Sequence, residues 1–156
     1  MRKPAAIALL SLLVCLVSCV SPESARIRKY FTAIVPFEEQ LQALQTQFKQ
    51  VQGLPVEARK EAYQHLVETI RGQVASLRGV ETPPEAARYQ ELLVQLHEHF
   101  ASFAEKASAT IGVIDPEEVK KITGERDAIQ KQYADTLTQL QAEQKRLSET
   151  YKVKFD

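Results

Sequence analysis

The chain contains four long segments in which apolar residues recur every three or four positions, the spacing of one face of an α-helix. The first of them predicts a helix over about 24–52 that packs against partner helices, because spacings of three and four alternate throughout. Pro36 cannot donate a backbone hydrogen bond, but the pattern keeps its phase across it, so we expect a kinked helix rather than two separate ones. Its apolar positions are Ile27, Tyr30, Ile34, Phe37, Leu41, Leu44, Phe48 and Val51.

Three further apolar faces predict helices over about 55–78, 83–111 and 116–151. The sequence Thr-Pro-Pro-Glu at 82–85 predicts a capping box at the start of the third helix. Asp-Pro-Glu-Glu at 115–118 predicts a capped start for the fourth in the same way. The second and third faces consist of Tyr63, Leu66, Val67, Ile70, Val74 and Leu77, then Tyr89, Leu92, Leu93, Leu96, Phe100, Phe103, Ala107 and Ile111.

The fourth segment is the longest and most polar, so its last turns are expected to project past the other helices or to fray. Gly124 is a point at which it is expected to bend. Its apolar stripe consists of Val119, Ile122, Ile129, Tyr133, Leu137, Leu140, Leu147 and Tyr151. A run of glutamines on this helix is consistent either with a partner-binding surface or with an ordinary solvated face: Gln130, Gln132, Gln139, Gln141 and Gln144.

Short turns between the segments make consecutive helices antiparallel neighbours. The predicted fold is therefore all-α, an antiparallel up-down four-helix bundle with coiled-coil-like packing over residues 24–156. A three-helix coiled coil, with the first helix broken at Pro36 and lying apart on a membrane, is the alternative. No stretch alternates with a period of two, so no sheet is expected.

The chain begins with Arg2 and Lys3, followed by an apolar run over 5–17. This run has 13 residues, whereas a helix that spans a bilayer needs about 20. It ends in Leu16-Val17-Ser18-Cys19. This arrangement resembles the signal peptide and lipobox of bacterial lipoproteins.

The resemblance implies that residues 1–18 are a signal peptide cleaved between Ser18 and Cys19. It also implies that Cys19 becomes an acylated N-terminus, with residues 19–23 as a short tether. Cys15 is the competing candidate, but Val14 precedes it where a small residue is required. The expected location is the bacterial cell membrane or outer membrane, facing the periplasm or the exterior. An ordinary secreted protein that is cut nearby is the alternative.

Charge gives little support to a nucleic-acid partner. Removal of residues 1–18 takes away two of 20 basic residues and none of the 20 acidic ones, which leaves a net charge of −2. The one local basic cluster consists of Arg26, Arg28 and Lys29. It lies close to Cys19 and is a candidate contact with anionic lipid headgroups, or else part of a solvated helix face.

The sequence contains no motif for catalysis, metal binding or a cofactor, and we predict no catalytic residue, metal ligand or cofactor. The histidines are His65, His97 and His99, and no Glu-x-x-His of the kind found in di-iron bundles is present. We expect them at the surface or at the boundary of the core. No Gly-rich phosphate loop or exposed nucleophile with a neighbouring base is recognisable.

These observations predict a membrane-anchored, non-enzymatic interaction or structural module of the cell envelope, with a protein partner of unknown identity. The alternative is a carrier or sensor that binds a small apolar ligand or a metal inside the bundle. Kinks at Pro36 and Gly124 would favour a cavity for such a ligand. Its expected lining is Tyr63, Phe100, Phe103 and Tyr133.

Overall fold

A computed structural model describes residues 21–153 of the chain. Over this range the backbone forms four packed α-helices and one 3₁₀ turn, with no strand, so the predicted all-α class is confirmed. The helices are α1 (Pro22–Gln52), α2 (Val56–Arg78), α3 (Ala87–Ala109) and α4 (Pro116–Tyr151), and the 3₁₀ turn is Pro84–Ala86.

The start of α1 is fixed by its own sequence. The Ser21 hydroxyl accepts a hydrogen bond from the Ser24 N–H (3.2 Å), and Pro22 occupies the first helical position, where no donor is needed. The helix therefore begins two residues before the predicted boundary. It continues without a break through Pro36 and ends before Gly53, so the first segment is one helix and not two.

The capping box predicted for the third helix does not form. Thr82 donates its hydroxyl hydrogen to the Val80 carbonyl (3.0 Å) and caps no helix. Pro83, which precedes a second proline, is extended with φ −68° and ψ 148°, as a residue before proline prefers. The 3₁₀ turn follows, and α3 begins only at Ala87, without a side-chain cap.

The start of α4 follows its prediction. The Asp115 carboxylate accepts a hydrogen bond from the Glu117 N–H (3.0 Å), and Pro116 is the first helical residue. Gly112, with φ +82°, reverses the chain between α3 and α4 in a conformation that other residues rarely adopt.

The core lies around α3, which packs extensively against both α2 and α4. Two of its leucines, Leu92 and Leu93, are each at most 2% exposed although they are sequence neighbours on different faces of the helix. All six predicted apolar positions of α2 are buried, and so are all those of α1 except the half-buried Phe37. The buried faces of α1 and α2 were therefore predicted correctly from the spacing of their apolar residues alone.

The prediction that the last turns of α4 project past the other helices or fray was wrong. Its last turns are well packed, because Leu147 and Val153 are buried and the Ser24 hydroxyl donates to the Tyr151 carbonyl (2.7 Å). By contrast, no residue of α4 before Thr136 is buried. The larger apolar residues of this first half are only half-buried, namely Val119, Ile122, Ile129 and Tyr133, and α1 approaches α4 at only a few points.

Candidate functional site

An open groove lies between α1 and α4, with α3 as part of its floor. It has two adjoining parts of about 390 Å³ and 340 Å³. The larger, here called the aromatic half, is lined by Gln45, Phe48, Lys49, Gln52, Phe100, Phe103, Gln130 and Tyr133. The smaller, the leucine half, is lined by Glu38, Leu41, Gln42, Gln45, Tyr89, Leu93, Leu96, Tyr133, Leu137, Leu140, Gln141 and Gln144.

Four rings from three helices form the wall of the aromatic half. The Phe48 centroid lies 5.9 Å from that of Phe100 and 5.3 Å from that of Phe103, and Phe100 lies 6.4 Å from Tyr133. These separations are those of favourable aromatic pairs. Phe103 and Tyr133 are only half-buried. Tyr63 supports the wall from outside the groove, with its ring 5.2 Å from that of Phe48.

One hydrogen bond crosses the groove where its two halves meet. The Gln45 side-chain amide of α1 donates to the Tyr133 hydroxyl oxygen of α4 (2.5 Å), and both residues line both halves. Burial raises the pKa of Tyr133, and the Gln45 bond opposes this change only in part. The phenol is therefore neutral at physiological pH, with its hydroxyl hydrogen free to donate to a bound group.

The two halves differ in charge. Lys49 is the one charged residue among the described residues that line the aromatic half, and it makes no ion pair within 21–153. A second cation, Arg126, lies over the Phe103 ring, 5.8 Å from its centroid. In the leucine half, the charged residue is Glu38, whose carboxylate accepts a hydrogen bond from the Tyr89 hydroxyl (2.5 Å).

Glutamines from both helices form the rim of the groove. Of the predicted glutamine face of α4, three residues line the groove: Gln130, Gln141 and Gln144. Gln132 does not, and Gln139 accepts a hydrogen bond from Arg88 of α3 (2.9 Å). The predicted glutamine surface is thus divided between a groove rim and an ordinary helix face.

The structure describes only part of the predicted anchor region. Ser18 and Cys19, the predicted cleavage and acylation site, lie outside the described residues. Of the basic cluster, Arg26 forms an ion pair with Glu85, and Lys29 is 3.4 Å from Glu81. Arg28 is exposed and makes no ion pair within 21–153, so it is the member whose charge is most available to a membrane surface.

The expectation that all three histidines lie at or near the surface was wrong for His97. Its side chain is fully buried, with Nδ1 2.8 Å from the Leu93 carbonyl oxygen. Burial lowers the pKa of His97, and the backbone carbonyls of Leu93 and Phe37 oppose this change. Its place on α3 explains the burial, because this central helix is covered on several faces.

The described residues contain neither a metal-binding group nor a helix that could cross a membrane. Within 21–153, no group of three or more His, Cys, Asp or Glu side chains could hold a metal ion. None of the helices described there is long and apolar enough to span a bilayer.

The prediction of the carrier alternative named three of the rings around the groove, Phe100, Phe103 and Tyr133. It placed Tyr63 in the lining, whereas this ring is 4% exposed and lies behind Phe48. It missed Phe48 and Lys49. Phe48 was recognised as a core position of α1, and no local signal reveals that this buried ring lines a groove beside α4.

Comparison with family models, with curated proteins and with solved structures finds no match to this chain. The features of the chain that indicate a function are therefore the groove and the N-terminal sequence.

Proposed function

We propose that this chain is a lipid-anchored, non-enzymatic interaction module of the bacterial cell envelope, which binds its partner in the groove between α1 and α4. The groove carries the proposal. It has an aromatic wall, an amide rim and few charges, the composition of surfaces that bind an apolar partner. Among the described residues that line it, no side chains form a nucleophile and base pair of the kind that covalent catalysis needs.

The proposed anchor is acylated Cys19, only three residues before the first residue of α1. An attachment of this length holds the start of α1, and the end of α4 that packs on it, close to the membrane. Arg26, Arg28 and Lys29 then face anionic headgroups, which attract nearby cations by about 1 kcal/mol each. Phe48 is 26 residues after Pro22, so the helical rise places the aromatic half about 39 Å along α1 from the end that carries the proposed anchor.

We propose an up-down topology for the bundle, and cross-helix pairs support it. Arg71 and Arg78 of α2 pair with Glu105 and Glu98 of α3 respectively, so partner numbers fall along α3 as they rise along α2. The same antiparallel order relates α3 and α4, and α1 and α4. The pairs concerned are Arg88–Gln139 and Lys106–Glu125, then Ser24–Tyr151 and Gln45–Tyr133.

The anchor is tested by metabolic labelling with an alkyne analogue of palmitate. The wild-type protein should be labelled and should fractionate with membranes, whereas Cys19→Ala should lose both properties. A Cys15→Ala variant is the matched control and should keep both, since this residue is expected to leave with the signal peptide. An unlabelled wild-type protein would remove the proposed location.

The groove is tested by a photo-crosslinking amino acid placed at Gln130, which lines it, and at Gln132, which lies two residues away outside it. Positions two apart on a helix point in different directions. Crosslinks to an envelope component should form from Gln130 and not from Gln132. Equal crosslinking from both positions would show that the groove is not the binding surface.

A second candidate function, that of a carrier for a small apolar molecule, is favoured by the division of the groove. Each half has a volume within or near the 300–1,000 Å³ typical of small-molecule pockets. The Gln45–Tyr133 bond lies between the halves, where a docked helix, about 10 Å wide, would have to displace it.

A further inference from the structure

We infer that the groove binds the carboxylate and hydrocarbon chain of a single-chain fatty acid. The carboxylate lies beside Lys49, and the chain lies against Phe48, Phe100 and Phe103. This inference rests on the second candidate function above and names its ligand class.

Charge determines the kind of head group. The aromatic half holds the cation Lys49 and no carboxylate among its described lining residues, and Lys49 has no ion pair within 21–153. Arg126, over the Phe103 ring, adds a second positive charge beside the wall. An anionic head group would therefore meet unpaired cations, whereas a cationic one would be repelled. The neighbouring glutamine amides supply hydrogen-bond donors to a carboxylate.

Length and lining determine the kind of tail. From Gln52 to Gln45 the groove follows α1 for about 10 Å, and from Gln52 to Glu38 for about 21 Å. One acyl chain covers about 15 Å, half of a bilayer core. A long chain therefore fills the aromatic half and continues past the Gln45–Tyr133 bond into the leucine half, where Leu41, Leu137 and Leu140 meet it.

A single chain fits this path better than a peptide does. Both Gln45 and Tyr133 are only half-buried side chains, so rotation of one of them opens the passage between the two halves. The path is apolar on its floor and polar along its rim.

The experiment uses the full-length protein in lipid nanodiscs and a palmitate analogue that carries a photoreactive diazirine on its chain. Binding in the groove should label peptides around Phe48, Phe103 and Tyr133, about 39 Å from the start of α1. Probe dissolved only in the bilayer should instead label residues near Pro22. Labelling confined to that end would overturn the inference.

Competitors test the chemistry of the ligand. Unlabelled palmitate should abolish the groove labelling, and octanoate should need a far higher concentration, because each buried methylene contributes about fourfold in affinity. A quaternary ammonium salt with the same 16-carbon chain should compete at least tenfold less well than palmitate. Equal competition by the two 16-carbon amphiphiles would show that Lys49 recognises no head group, and would overturn the assignment of a carboxylate.

A matched pair of variants locates the head group. Lys49→Glu should weaken groove labelling at least tenfold, while Lys145→Glu, an exposed lysine of α4 outside the groove lining, should leave it unchanged. Equal labelling in Lys49→Glu and wild type would contradict the inference. The intact mass of the same samples reports acylation of Cys19, so a failed anchor is distinguished from an empty groove.

Discussion

Two aromatic clusters lie at opposite ends of the bundle and differ in how completely they are enclosed. Near the start of α1, the rings of Tyr30, Phe31 and Tyr89 contact one another edge to face, and none is more than 7% exposed. Near the end of α1, Phe48 and Phe100 are buried to a similar degree. Their neighbours on the groove side, however, remain half-exposed.

The two clusters show that enclosure depends on the covering elements and not on the number of rings. The first cluster is covered where the 3₁₀ turn and the loop before it return to α1. Its hydroxyls are also satisfied, since Tyr30 donates to Gln90 (2.7 Å) and Tyr89 to Glu38 (2.5 Å). Burial raises the pKa of both tyrosines. The second cluster lies beside the first half of α4, whose apolar residues are only half-buried and do not close over it.

The largest expected effect is that of Tyr89→Ala in the enclosed cluster. The ring is 1% exposed, so its removal leaves a cavity and also deprives Glu38 of its hydrogen-bond donor. The free energy of unfolding should fall by about 3–5 kcal/mol. Chemical denaturation monitored by circular dichroism measures this change.

Phe103→Ala, in the open cluster, is the comparison for that variant. Because the Phe103 ring is already half-exposed, water can enter the space it leaves, and the loss should stay below about 2 kcal/mol. Equal losses in the two variants would mean that the groove is closed in solution.

The two halves of α4 give the next test. Leu147→Ala should cost about 2–5 kcal/mol, because the side chain is fully buried where α4 packs on the start of α1. Ile122→Ala, in the half-exposed first part of α4, should cost less than about 1.5 kcal/mol. A larger loss at Ile122 than at Leu147 would reverse the proposed difference between the two ends of the helix.

Sequence patterns were sufficient for the helices and for most of the core. Spacing identified the buried faces of α1 and α2, and local cap chemistry identified the start of α4 at Asp115. The capping box at 82–85 failed because Pro84 favours an extended backbone at Pro83, the residue before it. The spacing of apolar residues along a helix and most helix caps are local properties of the chain, so they could be predicted from the sequence alone.

The groove and the burial of His97 depend on distances between helices, which spacing along one helix does not contain. The sequence shows that Phe48 and Tyr133 are apolar positions, but not that α1 and α4 stand apart beside them. His97 occupies a polar position beside Leu96 in the sequence, and it is buried because α3 is central. To predict either feature, one would have to know which helix covers each face of its neighbours.

The burial of His97 predicts a loss of stability in mild acid. Its pKa is lowered in the folded protein, so the unfolded chain binds a proton more readily as the pH falls below about 6.5. The free energy of unfolding should therefore fall by roughly 1 kcal/mol between pH 7 and pH 5.5. The carboxyl groups of Glu23, Glu85 and Glu143, whose pKa values are lowered, stay ionised in this window.

Replacement of the buried imidazole isolates its contribution. His97→Leu should remove most of the pH dependence in this window, because neither His65 nor His99 is buried. His65→Leu is the matched control, since His65 is exposed on α2, and it should preserve the dependence. An unchanged pH profile in His97→Leu would assign the effect to another group.

The smallest expected effect is on the affinity for an anionic membrane, and it compares basic residues at the two ends of the bundle. In a mature chain with Cys19→Ser, so that acyl chains do not mask surface contacts, Arg28→Gln should weaken binding to anionic vesicles by about fivefold. Arg26→Gln should have less effect, because this guanidinium is already paired with Glu85. Lys120→Gln, at the exposed start of α4, should have none, because the proposed anchor at Cys19 lies at the opposite end of the bundle. Co-sedimentation with vesicles at several salt concentrations measures the affinities of the three variants. An equal loss of affinity in Arg28→Gln and Lys120→Gln would mean that binding does not depend on which end of the bundle carries the charge.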